Sequence, residues 1–393
     1  MKQNQTFIIY AQRTAIGKLS GAFASVPAPR LAAPLIQHGI TQLGIKPEHV
    51  DEIIMGNVLT AGVGQAPARQ AAIYGGLPHS VCATTINRVC GSGLKSVMLA
   101  DQGIRLGDGQ LYFAGGMENM TLAPHLLPQS RAGYKFGSIE IKDHMQLDGL
   151  WDPYNQVAMG QCGDICAKEY GFTREIQDAY ALESYQRARQ AQSSGAFKQE
   201  IIPVQVPQKS GAVAVDTDEE PGSVDLNKLP QLRAAFAKDG TVTAGNASSI
   251  NDGAAVLILA SEEYCKKNSI KPLARIVSQA SHAQEPTWFT TAPIGSIQKA
   301  LAKAGWNSNQ VDLYEINEAF AVVPLAAMKD LNLPREKVNV DGGAVALGHP
   351  IGASGARVLV TLIHGLKRRG LRKGLASLCI GGGEASAVAI ELI

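Results

Sequence analysis

The feature that most constrains this chain is a glycine-rich helix opening that occurs twice, once in each half. Gly-Ser-Gly-Leu-Lys-Ser-Val at residues 91–97 matches Gly-Ala-Ser-Gly-Ala-Arg-Val at residues 352–358. After the first, Leu94, Val97, Met98 and Ile104 keep a helical period and residues 110–115 return as a strand. After the second, a helix over 356–369 is followed by strands over 375–380 and 385–393. Two copies of one unit predict a duplicated α/β fold. Upstream, strand-like runs at 7–11, 52–58 and 84–87 alternate with helical patterns at 31–43 and 67–74, as a layered α/β architecture requires.

An insert interrupts this texture. Its connections are longer and more polar, and an acidic stretch at 216–220 runs into Pro221-Gly222. It carries one clear helix over 174–192, with Thr173 as N-cap and Glu175 in the first turn. The expected division is therefore 1–119 with 249–270 as the first half, 120–248 as the insert, and 271–393 as the second half.

Several function classes drop out on composition. Lys plus Arg at 36 against Asp plus Glu at 34 leaves a net charge of +2, so no broad basic face is available and nucleic acid is not an expected partner. The best apolar run, 319–328, contains Pro324 and falls well short of the roughly 20 residues of a membrane span, so no membrane partner is expected. Residues 1–6 are polar and Phe7-Ile8-Ile9-Tyr10 is too short for a secretory signal, which predicts a cytoplasmic location. Six cysteines (82, 90, 162, 166, 265 and 379) make no disulfide framework in a chain of 393 residues. Cys162 and Cys166 lack the second pair a zinc site needs, so free thiols and no metal are expected.

Four segments carry possible chemistry. Asn87-Arg88-Val89-Cys90-Gly91-Ser92-Gly93-Leu94 places a cysteine between a strand and a helix N-terminus, a position that favours a thiolate. Gly348-His349-Pro350-Ile351-Gly352-Ala353-Ser354-Gly355 puts a histidine in a turn fixed by Gly and Pro. Cys379-Ile380-Gly381-Gly382-Gly383 is a second thiol beside an all-glycine turn, whose bare N–H groups let a ligand approach closely. Asn317-Glu318-Ala319-Phe320 follows a strand. Each also fits a plain role: a small buried cysteine, a structural histidine, a tight hairpin, and a helix N-cap for Asn317.

Together, in this order and spacing, N-x-V-C-G-S-G-L, N-E-A-F, G-H-P-x-G-x-S-G and C-x-G-G-G make the chain resemble the thiolase family over essentially its whole length. The resemblance implies a thiolase fold, with two duplicated βαβαβαββ halves in a five-layered αβαβα arrangement and the insert as a loop domain that holds coenzyme A. It implies a reversible condensation of two acetyl-CoA to acetoacetyl-CoA and coenzyme A, these being substrates with no further cofactor. Cys90 would be the acylated nucleophile, His349 the group that takes its proton, and Cys379 the base acting on the second acetyl-CoA. Oxyanion stabilisation would come from His349 with a water held by Asn317, and from the N–H groups of Cys90 and Gly381. Ser248, Leu150, Met159, Phe236, Ala244, Ala319 and Phe320 would bind pantetheine and acyl group, and ordinary core packing is the competing reading for the apolar ones. The family is usually a homo-oligomer, a dimer or tetramer.

The chain departs from the family pattern at Ala158, Glu220, Phe289 and Glu384-Ala385. Glu220 is the nearest residue to a position where relatives often carry an Arg facing the adenine end, and Phe289 falls near one often occupied by Met. None is one of the four motif residues, yet they leave acyl length open. A 3-ketoacyl thiolase of broader chain length and a non-catalytic acyl-CoA-binding scaffold are the alternatives.

Overall fold

A computed structural model describes residues 4–209 and 211–393. The polar leader read over residues 1–6 therefore lies partly outside the described residues. No helix among those described is long and apolar enough to cross a membrane.

The first half runs β1 (Thr6–Arg13), α1 (Ala28–Leu43), β2 (Glu52–Gly56), α2 (Pro67–Tyr74), β3 (Cys82–Ile86), α3 (Ser92–Leu106) and β4 (Leu111–Asn119). In the insert, α4 (Met159–Tyr170) and α5 (Arg174–Ser193) are the long helices, and β5 (Asn251–Ser261) rejoins the sheet. The Thr173 hydroxyl caps α5 by accepting from the Ile176 N–H at 3.4 Å, as the sequence predicts. The second half follows with β6 (Ala274–Ala283), α6 (Ala292–Ala304), β7 (Leu313–Ile316), α7 (Val322–Leu331), α8 (Ser354–Arg369), β8 (Lys373–Ile380) and β9 (Glu384–Leu392).

Strand order reveals the duplication. The first half is ordered β3-β2-β4-β5-β1 and the second β7-β8-β9-β6, and the two join where Phe7 and Ile8 of β1 pair with Arg275 and Ala274 of β6. The central pairs, β2 with β4 and β7 with β8, are parallel, while the strands leading to the seam are antiparallel. One strand is nearly lost in the second copy. Where β3 has its equivalent, only Val338 bridges to Tyr314, because Asn339 turns the chain away with φ 48°.

Side-chain alternation builds the layers. Ile53, Phe113 and Val256 point to an outer core shared with Leu31, Leu35 and Ala71 of α1 and α2. Their neighbours Ile54, Tyr112 and Leu257 point inward to a core containing Leu94 and Val97 of α3, Leu359 and Ile363 of α8, and Leu378 and Ile390 of the second half. On the far side, Leu375 and Cys379 pack with Ile297 of α6 and Val322 of α7. The result is helix, sheet, helix, sheet, helix. The matched segments open the two middle helices, and Gly93 and Gly355 mark their crossing. A Cβ on Gly355 would lie 2.4 Å from the Leu94 backbone nitrogen, and one on Gly93 2.8 Å from that of Ala356.

Candidate active site

Cys90 sits in the turn between β3 and α3. Val89 just before it adopts φ 44°, left-handed backbone that a β-branched residue rarely takes. The turn is pinned internally: the Ser92 hydroxyl accepts from the Arg88 N–H at 2.8 Å and donates to the Val89 carbonyl at 2.7 Å. The hairpin joining β8 to β9 lies directly against it. A Cβ on Gly91 would be 2.3 Å from Ile380 Cδ1, so a larger residue there would have to displace the Ile380 side chain. The N–H groups of Gly381 and of Cys90 itself both act on the Cys90 sulfur in the direction that favours its anion.

The expectation that the helix N-terminus favours a thiolate at Cys90 is corrected. Burial pushes the thiol up to about 11, with a smaller push from Glu118, despite the two N–H groups that favour the anion. A helix terminus is worth about 0.3–1 kcal/mol, whereas desolvation of a buried group moves a pKa by as much as about 3–5 units at roughly 1.4 kcal/mol each. Desolvation wins.

Cys379 is the penultimate residue of β8 and is fully buried. Its thiol is raised well above the ordinary range, first by burial and then by the nearby Cys90, with Cys166 contributing further. The two sulfurs, from opposite repeats, thus lie within electrostatic reach of each other.

His349 emerges from a turn in which Gly348 (φ 103°) is pressed against Asn251, and the His349 N–H donates to Asn251 Oδ1 at 2.9 Å. Nδ1 lies 2.5 Å from the Ser354 hydroxyl. That hydroxyl already donates to the Pro350 carbonyl at 2.9 Å, so it accepts from Nδ1–H. Nε2 is therefore the unprotonated nitrogen, and it is buried with no partner. Burial, then Arg357, lowers this imidazole to about 3, so it is neutral at pH 7.

Asn317 is not a helix N-cap, as the plain reading of its motif supposed: α7 starts only at Val322, after Ala321. Its N–H donates to the Ser377 carbonyl at 3.0 Å and its Oδ1 accepts from Arg357 Nη2 at 3.3 Å. That leaves Nδ2 buried and unpartnered, an idle donor beside the idle acceptor of His349.

Around these groups lie most of the lining residues that the resemblance named. Met159, at the start of α4, approaches Gly381, with its Cε 3.5 Å from where a Cβ would stand. Leu150 packs in the small cluster touching Val89, Cys90 and Ile351, and its carbonyl accepts from the Met159 N–H at 3.1 Å. Phe320 takes Phe236 and Phe289 edge-on, with centroids at 6.1 and 6.3 Å. The Ser248 N–H and hydroxyl both donate to the Ala319 carbonyl at 3.0 Å. Ala244 stands apart, exposed on the turn fixed by the Thr243 N–H to Asn246 Oδ1 bond at 2.8 Å.

Two departures from the family pattern border the site. Phe289 is buried in the same cluster as Cys379 and Phe320, and Glu384 pairs with Arg88 at 2.6 Å. Glu220 is half-buried, its Oε1 accepting from Asn251 Nδ2 at 3.5 Å and its Oε2 from the exposed Ser223 hydroxyl at 3.2 Å. Residues that the sequence reading did not single out are Ser354 as the partner of His349, Arg357 behind Asn317, and Glu118. The buried Glu118 carboxylate accepts from Asn57 Nδ2 and the N–H groups of Val58, Leu59 and Gly352 at 2.6–3.1 Å, tying the His349 turn to the first half. Ser354 and Arg357 were signalled by their place in the repeated segment. Glu118, an acid inside an apolar strand, carried only its incongruity.

The thiolase N-terminal domain model matches residues 6–263 and the thiolase C-terminal domain model residues 270–392. The chain is 51% identical over 387 residues to an acetyl-CoA acetyltransferase of Cupriavidus necator, covering 98% of both chains. It is 52% identical over 386 residues to one of Chromobacterium violaceum, again covering 98% of each. The crystal structure of the Bacillus anthracis acetyl-CoA acetyltransferase superposes with a TM-score of 0.97 at 43% identity, covering 100% of this chain and 99% of that one. A thiolase from Ascaris suum in complex with coenzyme A gives 0.94 at 42% identity, covering 99% and 100%. With both domains matched in order on a duplicated sheet that brings a cysteine from each half to one place, the chain belongs to the thiolase family.

Proposed function

We propose that this protein is an acetyl-CoA C-acetyltransferase that condenses two acetyl-CoA to acetoacetyl-CoA and coenzyme A, reversibly, through an acetyl-Cys90 intermediate. The observation that carries the reading is that the Gly381 N–H acts on the Cys90 sulfur and that the Cys379 thiol lies within electrostatic reach of it, which supports two thiols serving one substrate. In the first half-reaction Cys90 attacks the thioester carbonyl. Its proton passes to the free Nε2 of His349 and from there to the departing coenzyme A sulfur. Because both the thiol and the imidazole rest neutral, charge develops only as the carbonyl oxygen takes it up. The N–H groups of Cys90 and Gly381 receive that charge, and each such donor is typically worth about 10²- to 10³-fold in rate.

In the second half-reaction Cys379 first gives up its own proton to solvent and, as thiolate, takes a proton from the methyl group of another acetyl-CoA, and the carbanion attacks acetyl-Cys90. The Cys90 sulfur leaves and recovers a proton from Cys379, which regains one from solvent, so the enzyme returns unchanged. A water on Asn317 Nδ2, together with His349 once its ring proton has moved from Nδ1 to Nε2, stabilises the enolate oxygen. Both are buried groups with unused hydrogen-bonding capacity, which supports the assignment.

In the same proposal residues 120–248 form the loop domain for coenzyme A, with Ser248, Leu150, Met159, Phe236, Ala244, Ala319 and Phe320 along the pantetheine and acyl path. Coenzyme A is substrate here, with no separate cofactor. The rings of Phe236, Phe289 and Phe320 wall this region, which supports acetyl over the longer acyl groups of a broad-range 3-ketoacyl thiolase. A cytoplasmic homo-oligomer, dimer or tetramer, completes the reading, and the outer edge of β3 offers a strand for self-association.

Intact-mass analysis after mixing with acetyl-CoA tests it. The wild type gains one acetyl group, Cys90→Ala gains none, and Cys379→Ser is acetylated yet condenses very slowly. A wild type that binds coenzyme A without being acetylated makes it a scaffold, and normal condensation by Cys379→Ser removes Cys379 from the mechanism. Thiolysis of 3-ketoacyl-CoA substrates of increasing length separates the acetyl-specific reading from the broad-range one.

A further inference from the structure

The reaction needs two sulfurs from different halves of the chain at a fixed spacing. Few polar links hold their loops together. Arg88, two residues before Cys90, supplies the most extensive one. Its Nε donates to Glu384 Oε2 at 2.7 Å and its Nη2 lies 2.6 Å from the same oxygen. Its Nη1 donates to the Ser281 hydroxyl at 3.0 Å and the Ser386 hydroxyl at 3.3 Å. One guanidinium therefore grips β6 and β9, the latter starting at the glycine hairpin that carries Gly381 and follows Cys379. The contact spans 296 residues of sequence.

What the guanidinium grips from is a strained turn. Val89 lies between Arg88 and the nucleophile with φ 44°, a conformation that persists only when its surroundings impose it. The Ser92 and Asn87 side chains fix the turn within itself, whereas Arg88 fixes it to the second half. Glu384 stands where the family pattern usually differs, and it is the partner that this turn finds in the hairpin. The planar fork matters, since a point charge cannot hold a carboxylate and two hydroxyls in fixed directions at once.

We propose that Arg88 and Glu384 are a positioning pair, a clamp between the two halves that sets the spacing of the Cys90 and Cys379 sulfurs. This rests on the functional reading above and adds to it which residues align the two thiols. Acetylation uses the hairpin only through the Gly381 N–H, one of two oxyanion donors, whereas condensation needs both thiols at a set spacing, so loss of the clamp slows condensation far more than acetylation.

The test follows both half-reactions in Glu384→Gln, Arg88→Gln and the double variant. Rapid-quench mass analysis gives the rate of Cys90 acetylation, and steady-state assays give kcat and KM for condensation. In each single variant condensation kcat falls at least about tenfold more than the acetylation rate, with little change in KM, as expected for a misplacement of the two thiols on the ångström scale. The double variant is no slower than the slower single one, because the two residues act as one unit. The proposal is overturned if acetylation and condensation fall in parallel, which marks a merely structural pair. It is equally overturned if condensation is unchanged or if the single effects multiply in the double variant. Absence of acetylation in the wild type instead sinks the functional reading itself, and that is measured before any variant is made.

Discussion

Ser354→Ala isolates how this fold readies its histidine. The Ser354 hydroxyl has one proton, given to the Pro350 carbonyl at 2.9 Å, so toward His349 it can only accept. That contact at 2.5 Å holds the imidazole proton on Nδ1 and leaves Nε2 bare. Removing the hydroxyl strands a buried donor, at a cost of about 1–3 kcal/mol. The ring escapes part of this by moving its proton to Nε2, where it can no longer act as a base. Since about 1.4 kcal/mol is a factor of ten, Cys90 acetylation should slow roughly ten- to hundredfold. Ser354→Thr, which keeps the hydroxyl, should retain most of the rate. Stopped-flow release of coenzyme A from acetyl-CoA measures it, with thermal unfolding run alongside to show that the variant is folded. Acetylation by folded Ser354→Ala at the wild-type rate would refute the tautomer argument.

Three further expectations follow from burial and packing. Cys90 ionises only at about 11, and its thiolate then raises Cys379, so in Cys90→Ala the pH at which iodoacetamide alkylates Cys379 should shift downward; an unchanged or higher value contradicts the electrostatic contact. Gly355→Ala should destabilise the protein by about 1–3 kcal/mol in denaturant titration despite alanine's better helix propensity, because the new methyl meets the Leu94 backbone at 2.4 Å. Tolerance of it would mean that α3 and α8 can separate. Burial raises the Glu118 carboxyl from its ordinary 4.5 to about 7, so the folded state holds this proton more tightly than the unfolded chain. Its contribution to stability is full below the ordinary value and is lost as pH rises through about 7. Glu118→Gln should remove that part of the fall in unfolding temperature between about pH 5 and 8, and an identical slope in the variant would show that Glu118 is not the titrating group.

Much of this protein was legible in the chain because it is written in short windows. The 3.6 and 2.0 periods located α2, α5, β2 and β8 within a few residues, and the matched segments at 91–97 and 352–358 announced the duplication. The thiols, His349 and Asn317 stood out because glycine, proline and polar residues interrupt apolar runs there. What the motifs could not carry was environment. Asn317 read equally well as a helix cap until α7 proved to start five residues later and Arg357 to hold its oxygen.

The sequence by itself determined the order of elements, the repeat, and which side chains stand at strand ends and helix starts, since those depend on local sterics and periodicity. Only the tertiary structure decided that Cys90 and Cys379 meet, that Ser354 sets the His349 proton, and that Arg88 reaches Glu384 across 296 residues. It also reversed the expected ionisation of Cys90, because desolvation is summed over everything packed around an atom, and no local window of sequence contains that sum.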